Sequence, residues 1–318
     1  MFDLIASGYC SMDRIIKIDP KAKISKTSIV QNDDNSVIRY GGCGINVATC
    51  LSRLDKKALP IIRVGDDYES TGFKDFIEKE KLSSDAITRV QGVSTSCCYL
   101  IENPTSEHIT LFYPGAMNAD HFRKYDRQWF SSSKLALMTV ASKIDNVEFL
   151  KRTMEAKLPL FLGMKFDKNA FPSRFLNKVV RNATGIFANE IESDYILSVM
   201  KQNTIEDLFK TNPLLDFYII TKGKQGSLGY FRHNKEVHIQ NAPIVPAKQF
   251  VDAVGSGDAY IAGFIYGYLG GQSILDSMRI GATLASFVIE GMGATSNAPN
   301  IESLNARYHA TFFEGDQL

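Results

Sequence analysis

Short apolar runs that read as β-strands recur along this chain, and helical stretches separate several of them. The strand candidates are Leu4–Ser7, Leu59–Val64, Leu135–Val140, Leu160–Met164, Gly185–Ala188 and Phe217–Thr221. Helical stretches such as Asn46–Leu54 and Glu148–Lys157 lie between them. This alternation is typical of parallel sheets, because a crossover helix carries the chain back to the start of the next strand. We therefore predict an α/β fold with a mostly parallel central sheet and helices on both faces.

Two regions depart from the alternation. Residues 14–40 and 92–113 are β-like, and neither is followed by a helix of its own. We predict that they form a small antiparallel sheet that stands off the main domain as a lid. Residues 1–13, 41–91 and 114–318 would then form one large α/β domain that carries the binding sites. A lid sheet has open edges, so a homodimer through the lid is one arrangement we expect, and coverage by loops is the other.

The size and charge of the chain limit what it can be. Its 318 residues are 44% hydrophobic, enough for the core of one large domain. With 36 Lys and Arg against 35 Asp and Glu residues, nothing favours a nucleic acid or an acidic membrane surface as partner. The start, Met1–Ser7, reads as a strand rather than a signal peptide. The longest apolar run, residues 259–269, is about half of a membrane span, so we expect a soluble protein.

The cysteines and histidines show no pattern of a disulfide framework or a metal site. The five cysteines are Cys10, Cys43, Cys50, Cys97 and Cys98. Their odd number and their positions in strand-like or helical stretches indicate free thiols in a reducing cytoplasm. The five histidines are scattered, without HExxH or CxxC spacing, so we expect no transition-metal site built by the protein.

The turn Val251–Asp258 connects a strand-like run to an apolar helix, Ala259–Leu269. Gly255 and Gly257 lack a Cβ, so the backbone can take positive φ and let a bulky anion approach. Free amide groups at the start of a helix favour phosphate. Asp258 would project into the same pocket as a base, an arrangement suited to phosphoryl transfer to an alcohol. The alternative is that Asp258 is a helix N-cap in an ordinary glycine-rich turn.

A second glycine cluster, Tyr40–Ala48, precedes an evident helix. Within it, Asn46 carries both a donor and an acceptor, which matches sugar hydroxyls. The alternative is a tight turn without a ligand. Asp13 follows the first strand, where open α/β sheets bind ligands, and a carboxylate there can accept bonds from two vicinal hydroxyls. A lone Asp at a strand end is also a common turn former.

Two further motifs follow strand candidates. Asn189–Glu192 could hold Mg²⁺ through water, since Mg²⁺ keeps much of its hydration shell. The alternative is a helix N-cap with acidic residues in the first turn. Thr221–Gly226 resembles a turn beneath a nucleotide, but it is not a Walker A loop, because Lys224 is followed by Gln225.

These motifs, in this order, resemble the ribokinase-like sugar kinase family, also called PfkB carbohydrate kinases, over nearly the whole chain. Asp252–Asp258 resembles the family signature DTxGAGD, with Ala253 and Ser256 as departures, and Gly41–Asn46 matches its GGxGxN pattern. The shorter matches are Val64–Asp67, Asp167–Asn169, Asn189–Glu192, Thr221–Gly223 and Gly293–Ala294. The resemblance implies a ribokinase-like fold and a kinase that uses ATP and Mg²⁺.

The resemblance also implies roles for individual residues. Asp258 would take the proton of the acceptor hydroxyl, and the amides of Gly255, Ser256 and Gly257 would form the anion hole. The residues implied for the acceptor sugar are Asp13, Gly41, Gly42 and Asn46. The residues implied for the ATP site are Asn189, Thr221, Gly223, Gly226 and Gly293.

The resemblance implies two cation sites as well. Glu192, with Asn189, would organise Mg²⁺ through water. Asp252 is a candidate ligand for a monovalent cation such as K⁺, although Ala253 and Val254 lack the side-chain oxygens that the motif sometimes supplies.

One residue and two segments of the sequence narrow the class of acceptor molecule. Cys43 stands where the GGKGxN variant of sugar-phosphate kinases carries Lys. Ile109–Met117 and Ser286–Gly293 are similar to segments of microbial nucleoside and adenosine kinases. Phe112 or Tyr113 could stack on a base, or these rings could simply pack the lid. We expect a neutral acceptor, a ribonucleoside ahead of a free sugar.

Three alternatives stay open. One is a kinase of a sugar phosphate, similar to a phosphofructokinase, and another is a sugar- or nucleotide-binding protein without catalysis. A Rossmann-type oxidoreductase would also fit the alternation, but the first strand is followed by Gly8-Tyr-Cys-Ser, without GxGxxG.

Overall fold

The computed structural model describes residues 1–19, 21–23, 25–102 and 108–313. The strands in these ranges are β1 (Leu4–Ser7), β2 (Ser11–Lys17), β3 (Arg39–Gly41), β4 (Ala58–Val64), β5 (Ile87–Arg89), β6 (Cys97–Glu102), β7 (His108–Tyr113), β8 (Ala136–Met138), β9 (Leu160–Gly163), β10 (Gly185–Asn189), β11 (Phe217–Thr221), β12 (Ser227–His233) and β13 (Glu236–Ala242). The helices are α1 (Cys43–Arg53), α2 (Phe73–Lys79), α3 (Arg127–Ser131), α4 (Lys143–Glu155), α5 (Ser173–Asn182), α6 (Glu190–Met200), α7 (Ile205–Thr211), α8 (Ser256–Leu269), α9 (Ile274–Val288) and α10 (Ile301–Phe312).

Nine strands form the large sheet, in the order β13-β12-β11-β10-β9-β8-β1-β4-β5. Every neighbouring pair from β11 to β5 is parallel, and β12 and β13 add an antiparallel hairpin at one edge. The predicted mostly parallel α/β fold is therefore confirmed.

Helices cover both faces of this sheet, because alternate strand residues point to opposite sides. Phe161 and Phe217 pack on one face against Phe264 of α8, with ring centroids of Phe217 and Phe264 4.6 Å apart. Their neighbours Leu162 and Tyr218 belong to a second buried cluster on the other face. Each fully buried side chain of this size stabilises the fold by about 1.5–3 kcal/mol.

The smaller sheet has the order β3-β2-β6-β7. Its outer pairs are antiparallel, but β2 and β6 are parallel, with Asp13 opposite Cys98. The prediction of an antiparallel lid sheet was wrong at this central pair. The reason is that β2 and β6 both lead away from the large sheet, whereas β3 and β7 lead back, and the two outgoing strands pair with each other.

The predicted domain ranges are not tested by this topology. Asp13, which we assigned to the large domain, lies within lid strand β2. Residues 20, 24 and 103–107 of the lid ranges, and residues 314–318 of the large-domain range, lie outside the described residues.

A buried arginine fastens the lid's return segment to the large sheet. Arg63 on β4 is 4% exposed and pairs with the fully buried Asp145, with Nη1–Oδ1 and Nη2–Oδ2 distances of 2.6 and 2.9 Å. Its Nε also donates to the Ala116 carbonyl, and Nη2 donates to the Met117 carbonyl. The segment that follows β7 is thereby held on β4. Sequence reasoning did not single out this pair.

All five cysteines carry free thiols. Among the described residues, we find no group of three or more His, Cys, Asp or Glu side chains placed to hold a metal ion. Over the same part of the chain, no helix combines the length and the apolar character that a membrane crossing requires.

Candidate active site

The candidate site is centred on Asp258, in the first turn of α8. Its side chain is 94% buried, since only 6% is exposed, and Oδ2 accepts a hydrogen bond of 2.8 Å from Asn46 Nδ2. Asn46 lies in α1, just after the glycine cluster at 41–44. The two glycine-rich turns that the sequence singled out therefore meet in space, although these residues are 212 positions apart.

Helix α8 begins where it does because of Gly255, which has φ 79° in the left-handed region that glycine adopts without strain. A Cβ there would lie 2.5 Å from Ala294 Cα, so the turn also requires glycine for close packing. No side chain among the described residues caps α8, and the position of a Cβ on Gly257 has no atom within 4 Å. Among the described residues, the amides of Gly255 and Gly257 have no backbone partner and are available to an anion, whereas the Ser256 amide donates to the Ala253 carbonyl at 3.2 Å.

Asp252 joins this turn to the loop around Gly293. Its Oδ1 accepts from the Val254 amide and its Oδ2 from the Gly293 amide, both at 2.9 Å. Gly293 has φ 89°, and a Cβ on it would lie 2.9 Å from Arg39 Cδ of lid strand β3. The loop around Gly293 therefore contacts both the turn Asp252–Asp258 and the lid.

The predicted acceptor residues Asp13, Gly41 and Asn46 lie together. A Cβ on Gly41 would be 2.9 Å from Asn46 Oδ1 and 3.7 Å from Asp13 Oδ2, so a side chain at position 41 would crowd both oxygens. Asn46 Oδ1 is buried and has no hydrogen-bond partner among the described residues. Burial raises the pKa of Asp13, while the Ser11 hydroxyl and Arg39 oppose this shift. Two adjacent oxygen acceptors suit vicinal hydroxyls.

Gly42 has a structural role at the start of α1. Its φ is 104°, and a Cβ on it would lie 2.0 Å from the Tyr9 carbonyl oxygen. Its own carbonyl accepts from the Asn46 amide at 2.8 Å. Any side chain at position 42 would displace the turn that carries Asn46.

The lid presents one row of side chains to the acceptor residues. Arg39, Asp13, Cys98 and Phe112 are directly opposite one another on β3, β2, β6 and β7 and so share one face. The Phe112 ring lies 4.8 Å from the ring of Tyr9. The next residue, Tyr113, points to the opposite face because side chains alternate along a strand. Of the two aromatic residues, Phe112 faces the site.

Asn189 and Glu192 form a reciprocal capping box at the start of α6. The Glu192 amide donates to Asn189 Oδ1 at 2.8 Å, and the Asn189 amide donates to Glu192 Oε2 at 2.9 Å. Burial raises the pKa of Glu192, while the backbones of Asn189 and Phe166 oppose this shift. The helix-cap alternative therefore describes this pair, and the cap holds the carboxylate in a fixed orientation.

Thr221, Gly223 and Gly226 lie at the end of the neighbouring strand. Thr221 is the register partner of Asn189, and both are the last residues of their parallel strands. They therefore lie side by side at the carboxyl edge of the sheet. Gly223 has φ 53° and no atom within 4 Å of a Cβ position. Gly226 has φ 83°, and a Cβ there would lie 2.3 Å from the Ala242 carbonyl oxygen. Ligands of parallel sheets bind at this carboxyl edge.

Asp258 shifts the pKa of two nearby side chains, Cys43 and Lys165. Burial, together with the Asp258 carboxylate, raises the pKa of the Cys43 thiol to about 12. The thiol is therefore neutral. The pKa of the Lys165 ammonium is raised, mainly by the Asp258 carboxylate and to a smaller extent by Cys43.

Sequence reasoning missed Lys165. In its segment we singled out Asp167, whose Oδ1 instead accepts the amides of Asn169 and Ala170 in a local turn. The signal that could have found Lys165 is its position just after β9, at the carboxyl edge of the sheet.

The chain is similar to known proteins over most of its length. Residues 1–301 match the family described as pfkB family carbohydrate kinase. A nucleoside kinase of Methanothermobacter thermautotrophicus is 26% identical over 312 residues, 97% of this chain and 96% of that protein. The nucleoside kinase structure of Methanocaldococcus jannaschii has a TM-score of 0.85 at 20% identity and covers 97% of this chain and 98% of that one. A Burkholderia thailandensis nucleoside kinase in complex with inosine has a TM-score of 0.84 at 21% identity, with the same coverage.

Proposed function

Since the chain belongs to the pfkB family of carbohydrate kinases, we propose that it transfers the γ-phosphoryl group of ATP to a hydroxyl of a ribonucleoside. It is a phosphotransferase with an alcohol group as acceptor. The observation that carries the proposal is the hydrogen bond between Asn46 and Asp258, because it joins the acceptor residues to the anion-binding end of α8.

Three features favour a nucleoside over a sugar phosphate. The neutral Cys43 thiol offers no positive charge to an acidic acceptor. Phe112 lies in the same row as Asp13 and can stack on a base. All three similar proteins described above are named nucleoside kinases, and the Burkholderia thailandensis structure holds inosine.

In the proposed mechanism, Asp13 and Asn46 bind the ribose hydroxyls and Asp258 faces the reacting one. The oxygen of that hydroxyl forms a bond to the γ-phosphorus while its proton passes to Asp258. The bond from the γ-phosphorus to the bridging oxygen breaks, and its electron pair stays on ADP. The amides of Gly255, Ser256 and Gly257 hold the oxygens of the transferring group. Asn46 orients the Asp258 carboxylate.

The nucleotide would lie along the carboxyl edge formed by Asn189 and Thr221, with Gly223, Gly226 and Gly293 close by. Mg²⁺ fits this edge, because the buried Glu192 carboxylate uses only part of its acceptor capacity on the Asn189 amide. Glu192 and Asn189 would hold it through water, and it would neutralise charge on the phosphates. We also propose that Asp252 can bind a monovalent cation. Each of its carboxylate oxygens already accepts one amide hydrogen bond, from Val254 and from Gly293.

We place the enzyme in the cytoplasm, where ATP is available and thiols stay reduced; its five free cysteines support this location. We also propose a homodimer through the lid. The lid face opposite Asp13 exposes Ile109, Leu111 and Tyr113, and β3 and β7 are open edges.

The test is ATP consumption with a panel of ribonucleosides, ribose, fructose and fructose phosphates. We expect Mg²⁺-dependent turnover with at least one ribonucleoside and a fall in kcat of about 10²–10⁴-fold for Asp258→Asn. The matched control is Asp276→Asn, which changes a first-turn carboxylate of the adjacent helix α9 and should leave kcat unchanged. Faster turnover of a fructose phosphate would contradict the acceptor, and a folded, active Asp258→Asn variant would contradict the base.

A further inference from the structure

Lys165 is directed at the first turn of α8 by the geometry of β9. A Cβ on Gly163, the last residue of β9, would lie 3.1 Å from Ile261 Cδ1 of α8. The chain stays extended past Gly163, since the Met164 amide donates to the Phe187 carbonyl at 2.9 Å. Residues 163 and 165 therefore point to the same side. Asp258 precedes Ile261 by one helical turn on the same face, so Lys165 lies towards Asp258.

A second contact fixes the other side of this lysine. The backbone of the next residue, Phe166, lies close enough to the Glu192 carboxylate to lower its pKa, and the Asn189 amide donates to that carboxylate at 2.9 Å. Lys165 is thus placed between the first turn of α6 and the first turn of α8. These two turns carry the acidic side chains proposed for the metal and for the base.

The negative charges of Asp258 and Glu192 favour a cation between α6 and α8. Asp258 and Glu192 both act electrostatically on Lys165 and both favour its charged form. The Lys165 side chain is exposed, and among the described residues it forms no ion pair. Its ammonium is therefore positive and accessible to a ligand that enters between the two helix N-termini. An approaching nucleotide would bring several further negative charges to the same place.

We propose that the Lys165 ammonium contacts the γ-phosphoryl group during transfer and offsets the negative charge that develops between the nucleotide and Asp258. This inference rests on the proposed kinase function. Lys165 exchanges no proton in it: the acceptor proton goes to Asp258 and the electron pair of the broken bond goes to ADP. Lys165 supplies a fixed positive charge at the place where negative charge develops during the transfer.

The test compares Lys165→Met, Lys165→Arg and Lys165→Ala with the full-length enzyme. We expect kcat to fall about 100-fold in Lys165→Met, while KM for the nucleoside changes by less than about threefold. Lys165→Arg should retain more activity than Lys165→Met. Added ethylammonium should restore part of the activity of Lys165→Ala, which a merely structural role would not allow.

The matched control is Lys168→Met, an exposed lysine of the same segment whose ammonium lies 5.6 Å from the Phe166 ring centroid. It should keep kcat and KM unchanged.

The outcomes separate this inference from the kinase proposal. Near-normal kcat in Lys165→Met, with Asp258→Asn inactive, overturns the role of Lys165 alone. A loss that follows a lower melting temperature and that ethylammonium does not restore also counts against it. Absence of turnover by the wild type with every acceptor overturns the proposed function and the role of Lys165 together.

Discussion

At the scale of single residues, Asn46 connects the two halves of the proposed reaction. Its Nδ2 donates to Asp258, and its buried Oδ1 has no partner among the described residues. An amide is the side chain that can donate to a carboxylate and accept from a hydroxyl at once. The helix-starting turn at Gly42 places it there.

We predict that Asn46→Leu lowers kcat/KM for the nucleoside by about 100-fold, because a similar volume is kept while two hydrogen bonds are lost. The dissociation constant for ATP, measured by calorimetry, should stay unchanged. The control is Thr49→Val on the same helix, whose buried Oγ1 also lacks a partner among the described residues. A similar loss in both variants would mean that the effect comes from the packing of α1.

At the scale of elements, the site depends on how β4 holds the segment after β7. Arg63 of β4 donates both to Asp145 near the start of α4 and to carbonyls at positions 116 and 117. Tyr125 and Ser142 complete the carboxylate's hydrogen bonds at 2.9 and 2.5 Å. A buried charge with this many partners positions elements firmly, and losing one partner leaves the other charge unpaired.

We predict that Asp145→Asn lowers the free energy of unfolding by about 3–5 kcal/mol, because it leaves Arg63 as an uncompensated buried charge. Denaturant unfolding monitored by circular dichroism measures this. The control is Glu78→Gln, which removes the charge of an exposed pair with Lys74 and should cost less than about 1 kcal/mol. Equal effects of the two variants would contradict the assignment of the Arg63 pair as a structural anchor.

At the scale of the whole molecule, the lid is the part that we propose links one chain to another. One of its faces carries Asp13 and Phe112 towards the site, and the other exposes apolar side chains. A second copy of the chain would cover this face and pair an open edge strand.

We predict that light scattering gives a mass of about twice the 35.4 kDa of one chain. Leu111→Glu on the exposed lid face should shift the protein to a monomer, because it buries a charge in the interface. The control is Leu214→Glu, an exposed leucine between α7 and β11. A monomeric wild type, or an unchanged mass for Leu111→Glu, would contradict dimerisation through this face.

Much of the fold and of the site could be predicted because the signals are local. Short continuous apolar runs identified strands, and for Leu4–Ser7 and Phe217–Thr221 the structure has the same bounds. Glycines that adopt positive φ, such as Gly255, indicated where the chain makes tight turns. The conformational preference of the backbone depends on a few neighbouring residues, so it can be predicted from the sequence alone.

The tertiary structure alone decided which distant residues meet. It paired β2 with β6 in parallel, joined Arg63 to Asp145 across 82 positions, and directed Lys165 rather than Asp167 towards Asp258. Such contacts depend on the order of strands in a sheet and on which helix covers each strand end. No local pattern encodes that order, because it results from the packing of the whole core.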